Sequence, residues 1–541
     1  MIFSSTLAGI VWILSGRKVC VRINVFWYLL LLSGTIVFMR YYFTHGYDPQ
    51  LFVDMICLFL LFFVLMQISG NIPLRVVAWV FLCFAVTLSL HGVLQYLGRL
   101  PSENTNFKVT GSFDNPTGFA SALAFMIPYG LYLLHNTSRP VKYLPVIMFV
   151  IVSAGILLSG SRAAAIACIV VAVCYVCSRY SGIKFRKWMP ATIAVLFIAS
   201  VTVLYFMKKD SADGRLLIWQ CTWNMIKDRP ITGHGQGAFQ AKYMLYQADY
   251  FETQPNSRYA SLSDNVLHPF SEYLLILSEY GIAGLCILVL QIGLLVRNYL
   301  YLPGFAKYTA CLSLVSIAIV SCFSYPFHYP FTWFITFLNI AVVCTGIEKK
   351  TMPLKATWVL RLGIMFISGV LLYVSLPLIT AEILWKRIAR ASLAGITREM
   401  LPQYNRLYKH LGKNGLFLYN HAAELNYVEK YEESLRVFEK CTEYYNDMDV
   451  QMLMADNYEV LELYDKAEQH LKFAANMCPN RFMPLYELVK LYDKTGHKEE
   501  ALILARHIAG KEIKVFSPTV MAIKNEMQKL IQQSNNMPME R

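Results

Sequence analysis

Through residue 378 the apolar positions come in long unbroken blocks, not as a stripe on one helix face. They run Ile23–Met39, Leu51–Ile68, Val76–Leu97, Thr117–Leu134, Tyr143–Ser159, Ala163–Val176, Met189–Met207, Pro269–Val296, Thr309–Phe323, Phe331–Ile347 and Trp358–Leu378. A helix crosses a bilayer with about 20 apolar residues. The blocks therefore predict an all-α, polytopic membrane protein of about eleven spans, or about twelve if Met1–Gly16 also inserts. Met1–Gly16 reads as an interfacial or partly inserted segment. Its basic residues, Arg17 and Lys18, follow the apolar run, and no small-residue cleavage site marks a signal peptide.

The loops between the blocks alternate in charge. One set holds Arg17, Lys18 and Arg22, then Arg75, then Arg139 and Lys142, then Arg179, Lys184, Arg186 and Lys187, then Arg297 and Lys307, then Lys349, Lys350 and Lys355. The opposite short loops, Tyr47–Gln50 and Ser324–Pro330, contain no Lys or Arg. Lys and Arg concentrate on the cytoplasmic side of membrane proteins, so the first set is expected there. Parity then puts the long insertion Lys208–Leu267, and everything after Leu378, on the extracytoplasmic side.

After Trp385 the pattern turns periodic. Ser434, Phe438 and Cys441 recur as Ala467, Leu471 and Ala474, and again as Ala501, Ala505 and Ile508, at offsets of 33 and 34 residues. Leu425, Tyr458 and Tyr492 stand nine residues before each set. This register resembles a tetratricopeptide repeat, in which small residues let paired helices approach closely. The expected division is a membrane domain over 1–385 with its loop at 208–267, a helical repeat domain over 386–533, and a disordered tail at 534–541. Repeats of this kind offer a surface to a protein partner and carry no reactive groups.

Composition narrows the class. Charged residues are 16% of the chain, against about a quarter in soluble domains. The formal net charge of +14 is spread over short loops and makes no stripe, so nucleic acid is not expected as a partner. Most of the 13 cysteines sit inside apolar blocks, where they act as small hydrophobes, and the Cys174–Cys177 spacing falls within such a block. No constellation suggests a metal site or a bound cofactor.

Polar residues near the membrane carry the candidate chemistry. Four patches fall on the extracytoplasmic side: Thr110–Pro116, Ser159–Arg162, Asp213–Arg215 and His268. Arg162 reads either as a cation snorkelling to the head groups or as a fixed guanidinium beside small residues. Arg215 reads either as one more exposed loop cation or as a second guanidinium. Two guanidinium groups together suit a pyrophosphate, because each pairs bidentately with phosphate oxygens. Trp219, Trp223 and Ile226 fall on one helical face, as an interfacial helix or as the core of a soluble subdomain. That helix should end at Lys227–Pro230, since the residue before a proline avoids helical angles. Gly233-His234-Gly235-Gln236-Gly237 lacks the strand–turn–helix frame of a dinucleotide site and reads as a lid or turn.

Taken in order, Gly111–Pro116, Ser161-Arg162, Asp213-Gly214-Arg215 with Trp219, Pro230-x-x-Gly233-x-Gly235 and Glu279-x-Gly281-x-x-Gly284 resemble the O-antigen ligase and polymerase superfamily of bacterial membrane glycosyltransferases. The resemblance covers roughly Asn104–Thr345. It implies a GT-C-like helical fold, no metal, and a glycan donor carried on undecaprenyl pyrophosphate, a polyprenyl pyrophosphate. By the same resemblance Arg162 and Arg215 hold the pyrophosphate, while Asn115, Asp213, Trp219 and Glu279 join the substrate site. The family's His-Asn pair falls at Phe270-Ser271 here. His268, two residues earlier, matches the first histidine of a His-x-His-Asn variant and is the candidate base. Glu272 and His234 stand next in line.

The expected function is transfer of that glycan to an acceptor hydroxyl at the periplasmic face of a bacterial inner membrane. The acceptor would be a lipid A core, a second glycan as in a repeat-unit polymerase, or a protein as in an O-oligosaccharyltransferase. The rival class is a non-catalytic transporter of lipid-linked sugar or an envelope assembly scaffold. A transporter is expected to carry ionisable groups inside its spans, whereas the ionisable groups here collect at one face.

Overall fold

The computed structural model describes the chain outside residues 1–19, 23–24, 47, 71–72, 139–140, 346–350, 354–356, 514–515 and 537–541, and outside 181–208 except for 195, 202 and 206. Met1–Gly16, and all but three residues of Met189–Met207, therefore lie outside the described residues. The described chain is overwhelmingly helical. Its one strand pair joins Cys20–Arg22 antiparallel to Thr351–Pro353, three residues each. Among the described residues, seven helices are long and apolar enough to cross a membrane, and Tyr143–Ser159, Arg162–Ser178 and Pro330–Cys344 are shorter apolar helices. Together they account for the expected blocks other than Met189–Met207.

The chain divides into two units: Met1–Lys209 with Phe270–Leu277 and Ile282–Ser375, and Asp210–Pro269 with Ser278–Gly281 and Leu376–Arg541. This differs from a boundary at residue 385, because the long insertion groups with the C-terminal helices.

The first unit holds α1 (Val25–His45), α2 (Pro49–Ile68), α3 (Leu74–Tyr96), α4 (Pro116–Asn136), α5 (Tyr143–Ser159) and α6 (Arg162–Tyr180). It also holds α10 (Phe305–Phe323), α11 (Pro330–Cys344) and most of α9 (Glu272–Tyr301). Helix α4 is central, packed by α3, α5, α6 and α10. Its small residues Gly118, Ala120, Ser121, Ala122 and Ala124 are buried and let the neighbours close in. Lipid offers no partner to a buried polar group, so such groups pair internally. Tyr129 Oη donates to Asn339 Oδ1 at 2.7 Å, Asn339 Nδ2 donates to Ser313 Oγ at 3.0 Å, and Ser313 Oγ donates to the Phe125 carbonyl at 2.8 Å. This chain of bonds ties α4, α10 and α11 in one arrangement.

The second unit begins with α7 (Lys209–Asp228) and α8 (Ala238–Thr253). It continues from the end of α12 (Thr357–Leu393) through α13 (Thr397–Leu411) into antiparallel pairs. These are α14 (Gly415–Tyr427) with α15 (Tyr431–Thr442), α16 (Met448–Val460) with α17 (Tyr464–Met477), and α18 (Met483–Thr495) with α19 (Lys498–Gly510). Helix α20 (Pro518–Asn536) closes the stack on α19. The periodic residues fall at one place in each pair. Ser434, Phe438, Cys441, Ala467, Leu471, Ala474, Ala501, Ala505 and Ile508 are all buried. Asn414 and Asp447 cap α14 and α16 with side-chain bonds to the Phe417 and Val450 amides.

The turn between paired helices uses a left-handed residue each time: Glu429 (φ 66°), Glu462 (φ 60°) and Gly496 (φ 83°). Only glycine adopts this region without a Cβ penalty of about 1–2 kcal/mol. Replacing Glu462 by glycine should raise the stability of this unit by about 0.5–1 kcal/mol, because added chain entropy in the unfolded state offsets part of the gain. The check is the melting temperature of the purified protein. A fall would show that the Glu462 side chain contributes more than its backbone strain costs.

Helix α8 packs against α17, and the Asn446 amide donates to the Gln240 carbonyl at 3.1 Å. The insertion and the C-terminal helices thus form one packed body.

Candidate functional site

In the first unit, the Thr110–Pro116 patch is a built loop. Gln95 of α3 is buried and holds it from below. Its Oε1 accepts the Thr110 and Gly111 amides at 3.0 and 2.7 Å, and its Nε2 donates to the Gly111 and Pro101 carbonyls. Gly111 is left-handed (φ 58°), and a Cβ there would meet the Phe119 ring at 2.4 Å. Asn115 then caps α4, its Oδ1 accepting the Gly118 amide at 2.7 Å. Its Nδ2 donates to the Tyr325 and Tyr329 hydroxyls at 2.9 and 2.8 Å, and Tyr329 donates to Asp114 Oδ1 at 2.6 Å. Burial, reinforced by Asp114, pushes the Tyr329 phenol far above its ordinary range, so it stays a donor. The loop borders an open cavity of about 400 Å³ lined by Glu103, Asn104, Thr105, Ser112, Phe113 and Asp114. Tyr325 and Tyr329 were not singled out in the sequence; their signal was the uncharged, tyrosine-bearing loop Ser324–Pro330.

Arg162 is the first residue of α6. Left-handed Gly160 (φ 64°) ends α5, and Ser161 between the two helices is buried with its hydroxyl making no hydrogen bond. A cation at a helix N-terminus is opposed by the helix dipole. The pairing becomes favourable once an anion sits against both the guanidinium and the first-turn amides. In the same unit, Glu272 opens α9 and its Oε1 accepts the Phe327 amide at 3.0 Å. Phe270, just before it, is held left-handed (φ 51°), a strained state for an aromatic residue.

In the second unit, Asp213-Gly214-Arg215 lies in the second turn of α7 and does not open a loop. The helix packs through Asp213, Leu217, Ile218, Cys221, Thr222, Met225 and Ile226. Of the expected Trp219–Trp223–Ile226 face, Ile226 belongs to this packed side while Trp223 stays 51% exposed. The two tryptophans sit a step round the helix from the buried set, one turn apart and in line with Arg215. Trp219 Nε1 donates to the Pro269 carbonyl at 2.9 Å. The helix face that carries Arg215 therefore meets the chain one residue after His268. A Cβ on Gly214 would meet nothing within 4 Å, so there is open space beside Asp213 and Arg215.

The glycine cluster is a turn, as expected, and it fills a break in α9. Gly233, Gly235 and Gly237 are all left-handed, and Gly281 breaks the helix at φ 64°, ψ −162°. The His234 and Gly235 amides donate to the Ser278 and Glu279 carbonyls at 2.8 and 2.9 Å. Glu279 is buried, and its Oε1 accepts the Gly237 amide at 2.9 Å. Glu279 is thereby placed as a brace of this turn, and Gly281 admits the loop backbone more than a second helix. A Cβ on Gly281 would meet the Ile231 carbonyl oxygen at 2.3 Å. Gly281→Ala should cost about 2 kcal/mol or more, combining left-handed strain with a backbone clash. Thermal unfolding of the purified variant checks this, and an unchanged melting temperature would contradict the close approach.

His234 Nε2 donates to the Met225 carbonyl at 2.8 Å, and Nδ1 is enclosed without a hydrogen bond. Burial lowers its pKa, outweighing the Met225 bond. His234 is thus engaged in holding the turn to α7 through Met225. His268 is half-buried in the segment between Val266 and Pro269, both buried. Among the described residues no group of three or more His, Cys, Asp or Glu is placed to hold a metal ion.

Residues 147–289 match the family model described as O-Antigen ligase. No curated protein matches the chain. The matched segment contains Arg162, Asp213, Arg215, Trp219, His268 and Glu279, while Asn115 and the helical pairs lie outside it. The match is to the O-antigen ligase family and spans that segment alone, and the apolar helices on either side of it fit a multi-pass membrane protein.

Proposed function

We propose that this protein transfers a glycan from a polyprenyl-pyrophosphate carrier to an acceptor hydroxyl at the periplasmic face of a bacterial inner membrane. The acceptor hydroxyl oxygen attacks the anomeric carbon, the bond from that carbon to the pyrophosphate oxygen breaks, and the polyprenyl pyrophosphate leaves with the electron pair. Arg162 and Arg215 bind the pyrophosphate oxygens and stabilise the charge that builds there. His268 takes or orients the acceptor proton; imidazole as a group, with an ordinary pKa of about 6.5, suits that task. Asn115, Asp213 and Trp219 support the substrate site, and Glu279 acts by bracing the glycine turn. The observation that carries this reading is Arg162 at the head of α6, inside the matched segment, where a guanidinium and helix amides together favour an anion. The paired helices are read as tetratricopeptide-like and as a surface for a protein partner.

The test is a deletion strain. Lipopolysaccharide, envelope glycans and periplasmic glycoproteins are compared with the parent. The expected result is loss of one glycoform class together with accumulation of polyprenyl-linked glycan, and the class lost names the acceptor. Unchanged glycans on every acceptor and no carrier-linked accumulation would contradict the reading.

A further inference from the structure

The segment that carries His268 is fastened on both sides, and one fastening comes from the C-terminal helices. After His268, the Pro269 carbonyl is held by the Trp219 indole. Before it, the Asn265 side chain is gripped by α16. Asn265 Nδ2 donates to Asp449 Oδ2 at 3.0 Å, and Asn265 Oδ1 accepts the Met448 amide at 3.2 Å. The Cys478 thiol adds a weak contact to the same oxygen at 3.6 Å. Met448 begins α16, so its amide has no partner within the helix, and Asn265 supplies one. An amide that donates to a carboxylate and accepts from a helix end has one allowed orientation. Next to it, fully buried Gln247 donates to both the Asp264 and Met477 carbonyls, at 3.1 and 2.6 Å. The nearby Arg481–Asp264 ion pair has side chains 51% and 62% exposed and adds little.

We propose that Asn265 is a positioning residue for the transfer step: through Asp449 and Met448 it fixes the segment that presents His268, so the C-terminal helices set the geometry of the reaction as well as offering a surface. The proposal rests on the reading of His268 as the proton-accepting group. It assigns the helical pairs a part in kcat, beyond any partner they bind.

The test uses the full-length protein with three forms: wild type, Asn265→Asp, and the exchanged pair Asn265→Asp with Asp449→Asn. The single variant sets two carboxylates face to face. The exchanged pair restores a donor opposite an acceptor and leaves the second carboxylate oxygen at position 265 for the Met448 amide. A displacement of about 1 Å at a reacting group costs on the order of 10²-fold, so Asn265→Asp should lose about 10- to 100-fold in kcat with donor KM nearly unchanged. Hydrogen exchange at the Val266, Leu267 and His268 amides should rise in the same variant. Both readouts should return to near wild type in the exchanged pair, as expected for two residues coupled directly. Wild-type kcat and exchange in Asn265→Asp would overturn the proposal, and so would a defect that the exchanged pair leaves in place. If no form transfers glycan, wild type included, the functional reading fails instead. Exchange at Val266–His268 needs no activity and still decides whether Asn265 fastens the segment.

Discussion

Arg215→Lys is expected to lower glycan transfer by about 10²-fold or more, although it keeps the positive charge. Lysine presents a point charge on a flexible stem, whereas arginine presents a planar fork that matches two phosphate oxygens at once. Removing one preorganised donor from a developing anion costs about 10²–10³ in kcat. Helix α7 is well set to exploit the fork. Asp213 and Leu217 pack one side of it, and Trp219, one turn after Arg215, is fixed to Pro269. Arg162→Lys should behave in the same way, because the first-turn amides of α6 suit an anion beside its guanidinium. Transfer kinetics of purified variants at matched expression check both. Near-normal rates in both lysine variants would reduce these arginines to cations at the membrane surface.

His268→Ala is expected to lower turnover by about 10²-fold or more while donor binding persists. The segment around it is built to hold a side chain still. Asn265 and Gln247 tie it to α16 and α17, and Trp219 ties Pro269. The competing histidine is already engaged, since His234 donates to the Met225 carbonyl. Separate measurement of donor affinity and single-turnover rate distinguishes a base from a binding residue. Full transfer by His268→Ala would move acceptor activation elsewhere.

The membrane helices were legible because lipid forces unbroken apolar blocks, and that signal survives without any knowledge of packing. The 33–34-residue register puts small residues at Ser434, Ala467 and Ala501, and all three are buried. Four features were not legible. Asp213-Gly214-Arg215 reads in the sequence as a polar patch, with Arg215 either an exposed loop cation or a fixed guanidinium. It lies inside α7, which begins at Lys209 and tolerates Gly214 at a cost of about 1 kcal/mol. The division at residue 385 followed composition, which registers polarity along the chain and not which polar segments pack together. Gln247–Met477 and Asn265–Asp449 join positions about two hundred residues apart, and each is a common polar pair with no local pattern. The Asn115–Tyr325–Tyr329 cluster escaped for the same reason.

The central claim is tested most directly by purified protein in proteoliposomes, supplied with a polyprenyl-pyrophosphate-linked glycan and a hydroxyl-bearing acceptor. The account predicts that the glycan appears on the acceptor and polyprenyl pyrophosphate is released in equal amount, and that both are lost together in Arg215→Lys. Movement of intact lipid-linked glycan across the bilayer with no cleavage from its carrier would contradict it.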